Sequence, residues 1–406
     1  MRWTVRTVRI VNPGQVDILK FDKASGKAPL YGRPLTLEIW YPAAIPEGKR
    51  ERTDYDVAMP AGSGTFHLAG KSLRDAAPVS GKHFPLVVVS HGHPGSRLFM
   101  SFLSENLASK GYVTAAIDHT DSVFGEVKGF PSTLLNRAND QLFTIQALEE
   151  LSRRPDDFLH GVLDAAHVAI VGNSMGGYGV LASAGAGYSK KAAAAQAVPG
   201  GYFDEWTEGS ANFEARRPPN LKVIVAIAPW GAQPPYNSWD AAGLAGIRIP
   251  SLFIAGDKDD VSDFEHGIRP AFEGAVNSER CLLVFENAHH NTGGNPAPPE
   301  AMANFATLQF FDEPVWRKDR IAAIDQHFIT AFLDLYLKGD ESRRAYLHPA
   351  VEKSNDGRWP VKQGESTGAV YSDGAAAEGR TVWKGFQRRW DLGLEMRCYA
   401  AGRTAN

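Results

Sequence analysis

Cysteine is nearly absent from this chain of 406 residues, which contains only Cys281 and Cys398. Two cysteines are too few for the disulfide framework that holds small secreted domains together. Cys281 opens an apolar run and is expected in the core, and a single bridge to Cys398 remains open. Because 43% of the residues are hydrophobic, a chain of this length can bury a large core without such a framework.

Long apolar runs and a strong charge of either sign are also missing. No stretch of about 18 apolar residues occurs, so we expect no membrane-spanning helix. The formal net charge of -3 gives no reason to expect binding to nucleic acid or to an anionic membrane. Residues 1–14 lack the apolar segment of a signal peptide, so a cytoplasmic location is the default expectation, although a removed leader would leave no trace. The sequence gives no oligomeric state.

Short apolar runs alternate with helical patterns, which predicts a mostly parallel central sheet flanked by helices. This is an α/β fold class, in which functional side chains gather at the carboxyl ends of the strands. The predicted strands are 35–42, 84–92, 112–119, 168–171, 221–231, 249–257 and 280–288, and the predicted helices are 99–111, 134–151, 175–186 and 321–339.

Polar stretches interrupt this alternation at 43–83, 188–220 and 291–320. Loops of such length are uncommon in compact domains and often cover a functional site. We therefore expect 188–220 and 291–320 to form a lid. The tail, 350–406, is expected to pack as an extension on a single domain.

A serine stands between glycines where the strand at 168–171 gives way to a helix. Residues 172–176, Gly-Asn-Ser-Met-Gly, fit the pattern G-x-S-x-G. In that pattern the glycines permit a sharp strand-to-helix turn that exposes the serine, so Ser174 is a candidate nucleophile. The alternatives are an ordinary glycine-rich loop and a phosphate-binding loop, but the Gly-Lys-Ser/Thr of the latter is missing.

A serine nucleophile needs a base within hydrogen-bond reach, and the base needs an acid that orients it. Two later strand ends supply such groups in the order serine, aspartate, histidine. Taken singly, each of these residues could equally be a turn or loop residue. The candidates are Asp257, Asp259, Asp260 and Asp263 for the acid, and His289 and His290 for the base.

A third requirement is a pair of N–H groups that stabilise the oxyanion. One is expected from Met175, the residue after the serine, and the other from His93, in the glycine-rich loop that follows the strand at 84–92. The alternative is that His91 and His93 bind a metal. Because no H-E-x-x-H pattern accompanies them, no metal or other cofactor is expected.

These motifs resemble those of the α/β-hydrolases, and more narrowly the dienelactone-hydrolase-like group that includes platelet-activating-factor acetylhydrolase. The matching stretches include "FPLVVVSHGHPGSR", "LASKGYVTAAIDHTDS", "GNSMGG", "IPSLFIAGDKDD" and "ENAHHN", and they cover most of 33–340. The resemblance implies an α/β-hydrolase fold and a serine hydrolase that cleaves a small-molecule carboxylic ester through an acyl-enzyme.

Carried over onto this sequence, the resemblance makes Ser174 the nucleophile, His290 the base and Asp259 the acid. It also assigns the oxyanion hole to the two backbone N–H groups named above. The doubled histidine and the Asp-Lys-Asp-Asp run leave His289 and Asp260 open as alternatives one residue away.

The substrate pocket cannot be copied from a relative because the inserts are long. We expect a partly enclosed, aromatic-rimmed pocket for small or medium acyl groups. Its rim residues are expected to be Trp206, Trp230 and Trp316.

Two other functions remain open at this point. The first is hydrolysis of a carbon–carbon bond in a vinylogous diketo acid, because Asn173 in "GNSMGG" also occurs in such hydrolases. That reaction needs a basic residue for the substrate carboxylate, and Arg97 is the candidate. The second is a non-catalytic binding module, against which the complete set of serine, aspartate and histidine speaks.

Overall fold

The computed structural model describes residues 1–45, 47–49, 52–60, 64–195, 198–360 and 379–404. The described strands are β1 (Trp3–Val16), β2 (Leu30–Pro42), β3 (Thr53–Ala58), β4 (Thr65–Gly70), β5 (Leu73–Arg74), β6 (Phe84–Ser90), β7 (Val113–Asp118), β8 (Ser122–Val123), β9 (Glu126–Val127), β10 (Leu163–Asn173), β11 (Leu221–Ile227), β12 (Ser251–Gly256), β13 (Arg280–Phe285) and β14 (Leu394–Tyr399).

A ten-stranded sheet forms the centre of the described chain, in the order β14-β13-β12-β11-β10-β6-β7-β2-β1-β5. The six strands from β13 to β7 in this order run parallel. Antiparallel strands flank them, with β14 beside β13 and β2 beside β7. This arrangement confirms the predicted α/β-hydrolase fold class with its mostly parallel sheet.

Helices cover both faces of this sheet. The described helices are α1 (Ser101–Ser109), α2 (Phe130–Arg153), α3 (Met175–Ser183), α4 (Lys190–Ala195), α5 (Ala211–Ala215), α6 (Ala241–Leu244), α7 (Arg269–Gly274), α8 (Pro299–Met302), α9 (Phe305–Leu308), α10 (Lys318–Lys338) and α11 (Arg344–Leu347).

Two hydrophobic clusters lie on opposite sides of the sheet, because successive strand residues point to opposite faces. In β6, Val88 joins the cluster that contains α2 and α3, whereas Val87 and Val89 join the cluster that contains α1 and α10. A strand that is covered on both faces must be apolar throughout, and every residue of β6 and β12 is buried.

Some elements were not predicted from the sequence. Strand β1 pairs antiparallel with β2, and its polar residues alternate on an exposed face. The polar stretch 43–83 contains the hairpin of β3 and β4. Within 188–220 lie α4 and α5, and within 291–320 lie α8 and α9.

The described part of the C-terminal tail lies against the body of the protein. Strand β14 extends the sheet at its edge, and Trp383 is 1% exposed. Cys281 and Cys398 stand directly opposite each other in β13 and β14 and form a disulfide, so Cys281 is both a core residue and a bridged one. Residues 361–378 of the predicted extension lie outside the described residues.

No described helix has the length and apolar character that crossing a membrane requires.

A buried polar network lies under the carboxyl ends of β6 and β7. The Arg33 guanidinium donates to both oxygens of Asp140, at 2.8 and 3.0 Å, and to Asp121 at 2.9 Å. The same Asp140 carboxylate lies 2.9 Å from His119 Nδ1. Because a carboxylate only accepts, Nδ1 of His119 carries a proton, and the backbone N–H of His119 in turn donates to Nε2 of His91 at 3.2 Å.

Both imidazoles of this network are held neutral. Burial, followed by the positive charge of Arg137, lowers the pKa of His91 and of His119 well below the ordinary value. In the unfolded chain the same groups take up protons near pH 6.5. As the pH falls through that value, the unfolded state binds protons that the folded state does not, so the folded state loses relative stability.

We therefore expect the free energy of unfolding to decrease as the pH is lowered from about 7 to about 5. Urea denaturation at a series of pH values measures this decrease. His119→Gln removes one of the two groups and should give a shallower pH dependence, whereas replacement of the exposed His160 by glutamine should leave the slope unchanged. A stability that stays constant between pH 7 and 5 would contradict the assignment of neutral buried histidines.

Candidate active site

Ser174 occupies a strained turn between the end of β10 and the start of α3. Its backbone has φ 53° and ψ −115°, which a residue with a side chain rarely adopts. A Cβ at Gly176 would lie 2.1 Å from the carbonyl oxygen of Ser90, and one at Gly172 would lie 2.4 Å from the backbone of Gly176. Both glycines are therefore needed for the strand, turn and helix to approach this closely.

A continuous series of hydrogen bonds runs from Ser174 through His290 to Asp259. The Ser174 hydroxyl lies 2.9 Å from Nε2 of His290. On the other side of the ring, Nδ1 of His290 lies 3.0 and 2.9 Å from the two oxygens of Asp259. The carboxylate accepts the Nδ1 proton, which leaves Nε2 of a neutral imidazole free to accept the hydroxyl proton of the serine.

The Asp259 carboxylate is fully buried and held from behind. The backbone N–H groups of Val261 and Ser262 donate to its Oδ1 at 2.9 and 2.7 Å. These bonds satisfy a group that would otherwise be costly to bury, and they fix the direction in which it faces His290.

His289 and Asp260, the alternatives one residue away, do not take part in this series of hydrogen bonds. Nδ1 of His289 lies 3.3 Å from Glu313, and Asp260 is exposed on the wall of the cavity beside Ser174. Of the two registers that the sequence left open, the structure brings Asp259 and His290, and not their neighbours, to Ser174.

Two residues that sequence reasoning did not single out hold the loop of His290 in place. The ammonium of Lys318, which is 5% exposed, donates to the carbonyl of Asn291 at 2.8 Å and to that of Gly293. The buried carboxylate of Glu313 accepts the backbone N–H of His289 at 2.9 Å. Both residues follow the loop by more than twenty positions, and no local sequence signal connects them with it.

The two candidate oxyanion donors flank Ser174. Neither the N–H of His93 nor that of Met175 donates to the described part of the chain. Met175 is the first residue of α3, and the first N–H groups of a helix have no partner within it. His93 lines the same cavity as Ser174, and Gly92 lies so close that a Cβ there would be 3.3 Å from Cβ of the serine.

The imidazoles of His91 and His93 make contacts within the protein. Nδ1 of His91 lies 2.7 Å from the carbonyl oxygen of Gly92, and its Nε2 accepts from the backbone of His119. The ring of His93 packs edge-on against Phe130, and burial, with the nearby Arg137 charge as the smaller cause, lowers its pKa to about 4. Both nitrogens of His91 are thus engaged within the protein, which disfavours the H-x-H metal site.

A cavity of about 730 Å³ opens beside Ser174 and His290. This volume lies in the range of small-molecule sites. Among the described residues that line it, none is a lysine or an arginine, whereas Asp260 and Asp312 are present. Its apolar wall consists of Pro94, Phe99, Val261, Phe305, Leu308, Phe310 and Pro314.

The three tryptophans expected at the rim are not among the described residues that line this cavity. Trp206 packs on Phe213 and lines a different groove, of about 880 Å³, that runs along α2. Trp230 packs between Phe130 and Tyr178, and Trp316 packs on Phe285. Each is less than one-tenth exposed, because an indole buries more apolar surface in the core than at a rim.

The two inserts contribute unequally to the wall of the cavity. The stretch 291–320 supplies a wall of the cavity through α9 and the residues after it. By contrast, no described residue of 188–220 lines the cavity, and that stretch borders the groove along α2 instead. Of the two predicted lid segments, the described residues of 291–320 border this cavity, whereas those of 188–220 do not.

Arg97 is engaged by two carboxylates. Its Nε donates to Glu38 at 2.9 Å, its Nη1 pairs with Asp118, and its backbone N–H donates to Asp118 at 2.6 Å. It lines a separate depression and not the cavity of Ser174. The residue that a carbon–carbon hydrolase would need for the substrate carboxylate is thus already neutralised and points elsewhere.

Comparison with known proteins gives matches to esterases and to one hydrolase family. The family model described as platelet-activating factor acetylhydrolase, isoform II, matches residues 65–128. Cutinase est1 of Thermobifida alba is 23% identical over 214 residues, which are 52% of this chain and 55% of the cutinase. Bis(hydroxyethyl) terephthalate hydrolase of Streptomyces coelicolor is 23% identical over 208 residues, 51% of this chain and 50% of that protein.

Among solved structures, a ferulic acid esterase from Streptomyces cinnamoneus superposes with a TM-score of 0.53 at 19% identity, covering 83% of this chain and 91% of that one. At such identity the likeness concerns the fold. The chain spans about half the length of the two curated relatives named above. Together with the sheet topology, these matches confirm the predicted resemblance: the chain has an α/β-hydrolase fold and is similar to the family described as platelet-activating factor acetylhydrolase, isoform II.

Proposed function

We propose that this protein is a serine hydrolase of carboxylic esters, with Ser174 as nucleophile, His290 as general base and Asp259 as the acid that orients it. The observation that carries this proposal is the unbroken hydrogen-bond series from the serine hydroxyl to the buried carboxylate. A serine is a weak nucleophile unless a base accepts its proton, and the base works only in the correct tautomer.

In the proposed reaction, the Ser174 oxygen attacks the ester carbonyl while Nε2 of His290 takes the hydroxyl proton. The negative charge that develops on the carbonyl oxygen is stabilised by the N–H groups of His93 and Met175. His290 then gives its proton to the leaving alcohol, and an acyl-enzyme remains on Ser174. Water, activated by the same imidazole, releases the acid and restores the serine.

The wall of the cavity indicates an uncharged substrate with a small or medium acyl group. Phe99, Leu308 and Phe310 offer apolar contact, and no described lysine or arginine of the wall could bind a substrate carboxylate. This agrees with ester hydrolysis better than with cleavage of a diketo acid, for which Arg97 would have to leave two carboxylates. The matches to proteins named cutinase and ferulic acid esterase support an ester as the substrate class.

Ser174→Ala should leave the fold intact and lower kcat for p-nitrophenyl butyrate by a factor on the order of 10⁴ to 10⁶, because the three groups act as a unit. Treatment of the wild type with a fluorophosphonate, followed by peptide mass spectrometry, should give one adduct on the peptide that contains Ser174. The alanine variant should give none. An adduct on another serine, or a variant with near-normal turnover, would exclude Ser174 as the nucleophile.

Substitutions in the two loops separate each proposed residue from its neighbour. His290→Ala should abolish most activity, and Asp259→Asn should lower kcat by about 10⁴-fold, because an amide favours the wrong tautomer of the imidazole. The matched controls, His289→Ala and Asp260→Asn, should stay within about tenfold of the wild type since neither side chain contacts Ser174. If a control variant loses more activity than the variant with which it is paired, the assignment of that residue is wrong by one position.

A panel of p-nitrophenyl esters from acetate to palmitate tests the cavity. We expect the highest kcat/KM for short and medium chains, because the wall is partly closed by the segment that contains α9. Phe305 lines the mouth and is 78% exposed, so Phe305→Ser should change KM and chain-length preference without loss of stability. Trp390→Ser, an exposed aromatic outside the cavity wall, serves as the control. A wild type with its highest kcat/KM for palmitate would contradict the partly enclosed pocket.

A further inference from the structure

Arg137 is a fully buried arginine on α2, and two of its three hydrogen-bond partners belong to the loop beside the active site. Its Nη1 donates to the carbonyl of His91 at 2.7 Å, and its Nη2 lies 3.4 Å from the carbonyl oxygen of Gly92. The same Nη2 donates to the Ser122 hydroxyl at 2.8 Å. Within the described chain, no carboxylate is hydrogen-bonded or ion-paired to this guanidinium.

A buried cation without a paired anion is costly, so its position calls for an explanation. Asp140 attracts Arg137 through space, yet its oxygens are bonded to Arg33 and His119. Burial lowers the pKa of Arg137 to about 9, which still leaves it charged at neutral pH. The contacts that this charge makes are to the carbonyl oxygens at the end of β6 and to a hydroxyl.

Those carbonyls mark the point at which the strand becomes the oxyanion loop. Along a regular strand, successive carbonyls point in opposite directions. Here the carbonyls of His91 and Gly92 both face Arg137, so their dipoles converge and repel unless a positive charge lies between them. The ring of His91 adds a second donor, because its Nδ1 lies 2.7 Å from the oxygen of Gly92.

The direction of the Gly92 carbonyl determines the direction of the His93 N–H. Both belong to one planar trans peptide unit, in which C=O and N–H point to opposite sides. With the oxygen held toward α2, the hydrogen must face away from α2. Gly92 itself offers little resistance to rotation of this unit, because it has no side chain.

From this arrangement we propose that Arg137 is a positioning residue that keeps the Gly92–His93 peptide unit in the orientation that presents the His93 N–H as an oxyanion donor. The inference rests on the proposed function of Ser174 and of this N–H. Without the guanidinium, His91 alone would hold the unit, and the repelling carbonyls would favour its rotation. The enzyme would then bind its substrate as before and stabilise the transition state less.

The test compares Arg137→Met, which removes the charge, with Arg137→Lys, which keeps it but cannot bridge several acceptors. We expect Arg137→Met to lower kcat for p-nitrophenyl acetate by about 10²-fold, the cost of one oxyanion donor, with KM within about threefold of the wild type. The kcat of Arg137→Lys should lie between that of the wild type and that of Arg137→Met. The rate of fluorophosphonate labelling of Ser174 should fall in the same order, since phosphonylation also places negative charge on an oxygen in this position.

Arg280 provides a matched control at the opposite end of the parallel strands. It is likewise fully buried, and its guanidinium donates to backbone carbonyls, including that of Phe272 at 2.7 Å and that of Arg403 at 2.9 Å. Arg280→Met should lower the melting temperature yet keep kcat and the labelling rate near wild type. An equal loss of kcat in Arg280→Met and Arg137→Met would reduce Arg137 to a purely structural residue and overturn the inference.

The Arg137→Lys variant tests the positioning role of Arg137 even if Arg137→Met does not fold. Labelling of this variant at the wild-type rate overturns the inference, whatever the ester activity. A wild type that reacts with the fluorophosphonate at Ser174 but hydrolyses no ester overturns the proposed function alone, because slower labelling of the lysine variant would still support the role of Arg137. A wild type without any adduct overturns both.

Discussion

The turn at Ser174 is the constraint on which the rest of the site depends. The residue is held in its unfavourable backbone conformation from two sides, because its N–H donates to Ile227 at 2.8 Å and its carbonyl accepts from Trp230 at 3.1 Å. Strain of this kind persists only where the surrounding structure fixes it. Here β11, next to β10 in the sheet, supplies that support, and the glycines at 172 and 176 let β6 and α3 approach without a clash.

Behind this turn, buried charged groups hold the loops whose backbones take part in the proposed reaction. Arg137 binds carbonyls of the proposed oxyanion loop, Lys318 binds carbonyls of the His290 loop, and Glu313 binds the N–H of His289. Charged donors and acceptors form stronger hydrogen bonds than neutral ones, and they are costly to leave unpaired. A loop that satisfies such a group has fewer alternative conformations than one held by packing alone.

Much of the fold could be predicted because parallel strands covered on both faces must be continuous apolar runs, and β6, β11, β12 and β13 are such runs. Strand β1 was not predicted because it is half exposed, and polar residues alternate with apolar ones along it in place of a continuous apolar run. The grouping of Ser174, Asp259 and His290 could also be predicted, because each follows a strand of the parallel sheet and the strands can be recognised in the sequence. Arg137 could not be found in this way, since the two carbonyl groups that it contacts are more than forty positions distant and it resembles any other arginine of an amphipathic helix.

The three tryptophans that the sequence analysis placed at the rim are buried away from the described cavity wall, for a physical reason that also bears on the function. Large aromatic residues in a long insert were expected near the mouth of the site, but indoles such as Trp206 gain more by complete burial. The wall is formed instead by the segment that follows the His290 loop directly in sequence. Asn291, next to the proposed base, donates through its side chain to the carbonyls of Gln309 and Asp312, and both of these residues line the cavity. The wall proposed to select the acyl group and the loop that positions the imidazole are therefore joined by hydrogen bonds, so we expect a change in the wall to alter the geometry of His290 as well as the shape of the pocket.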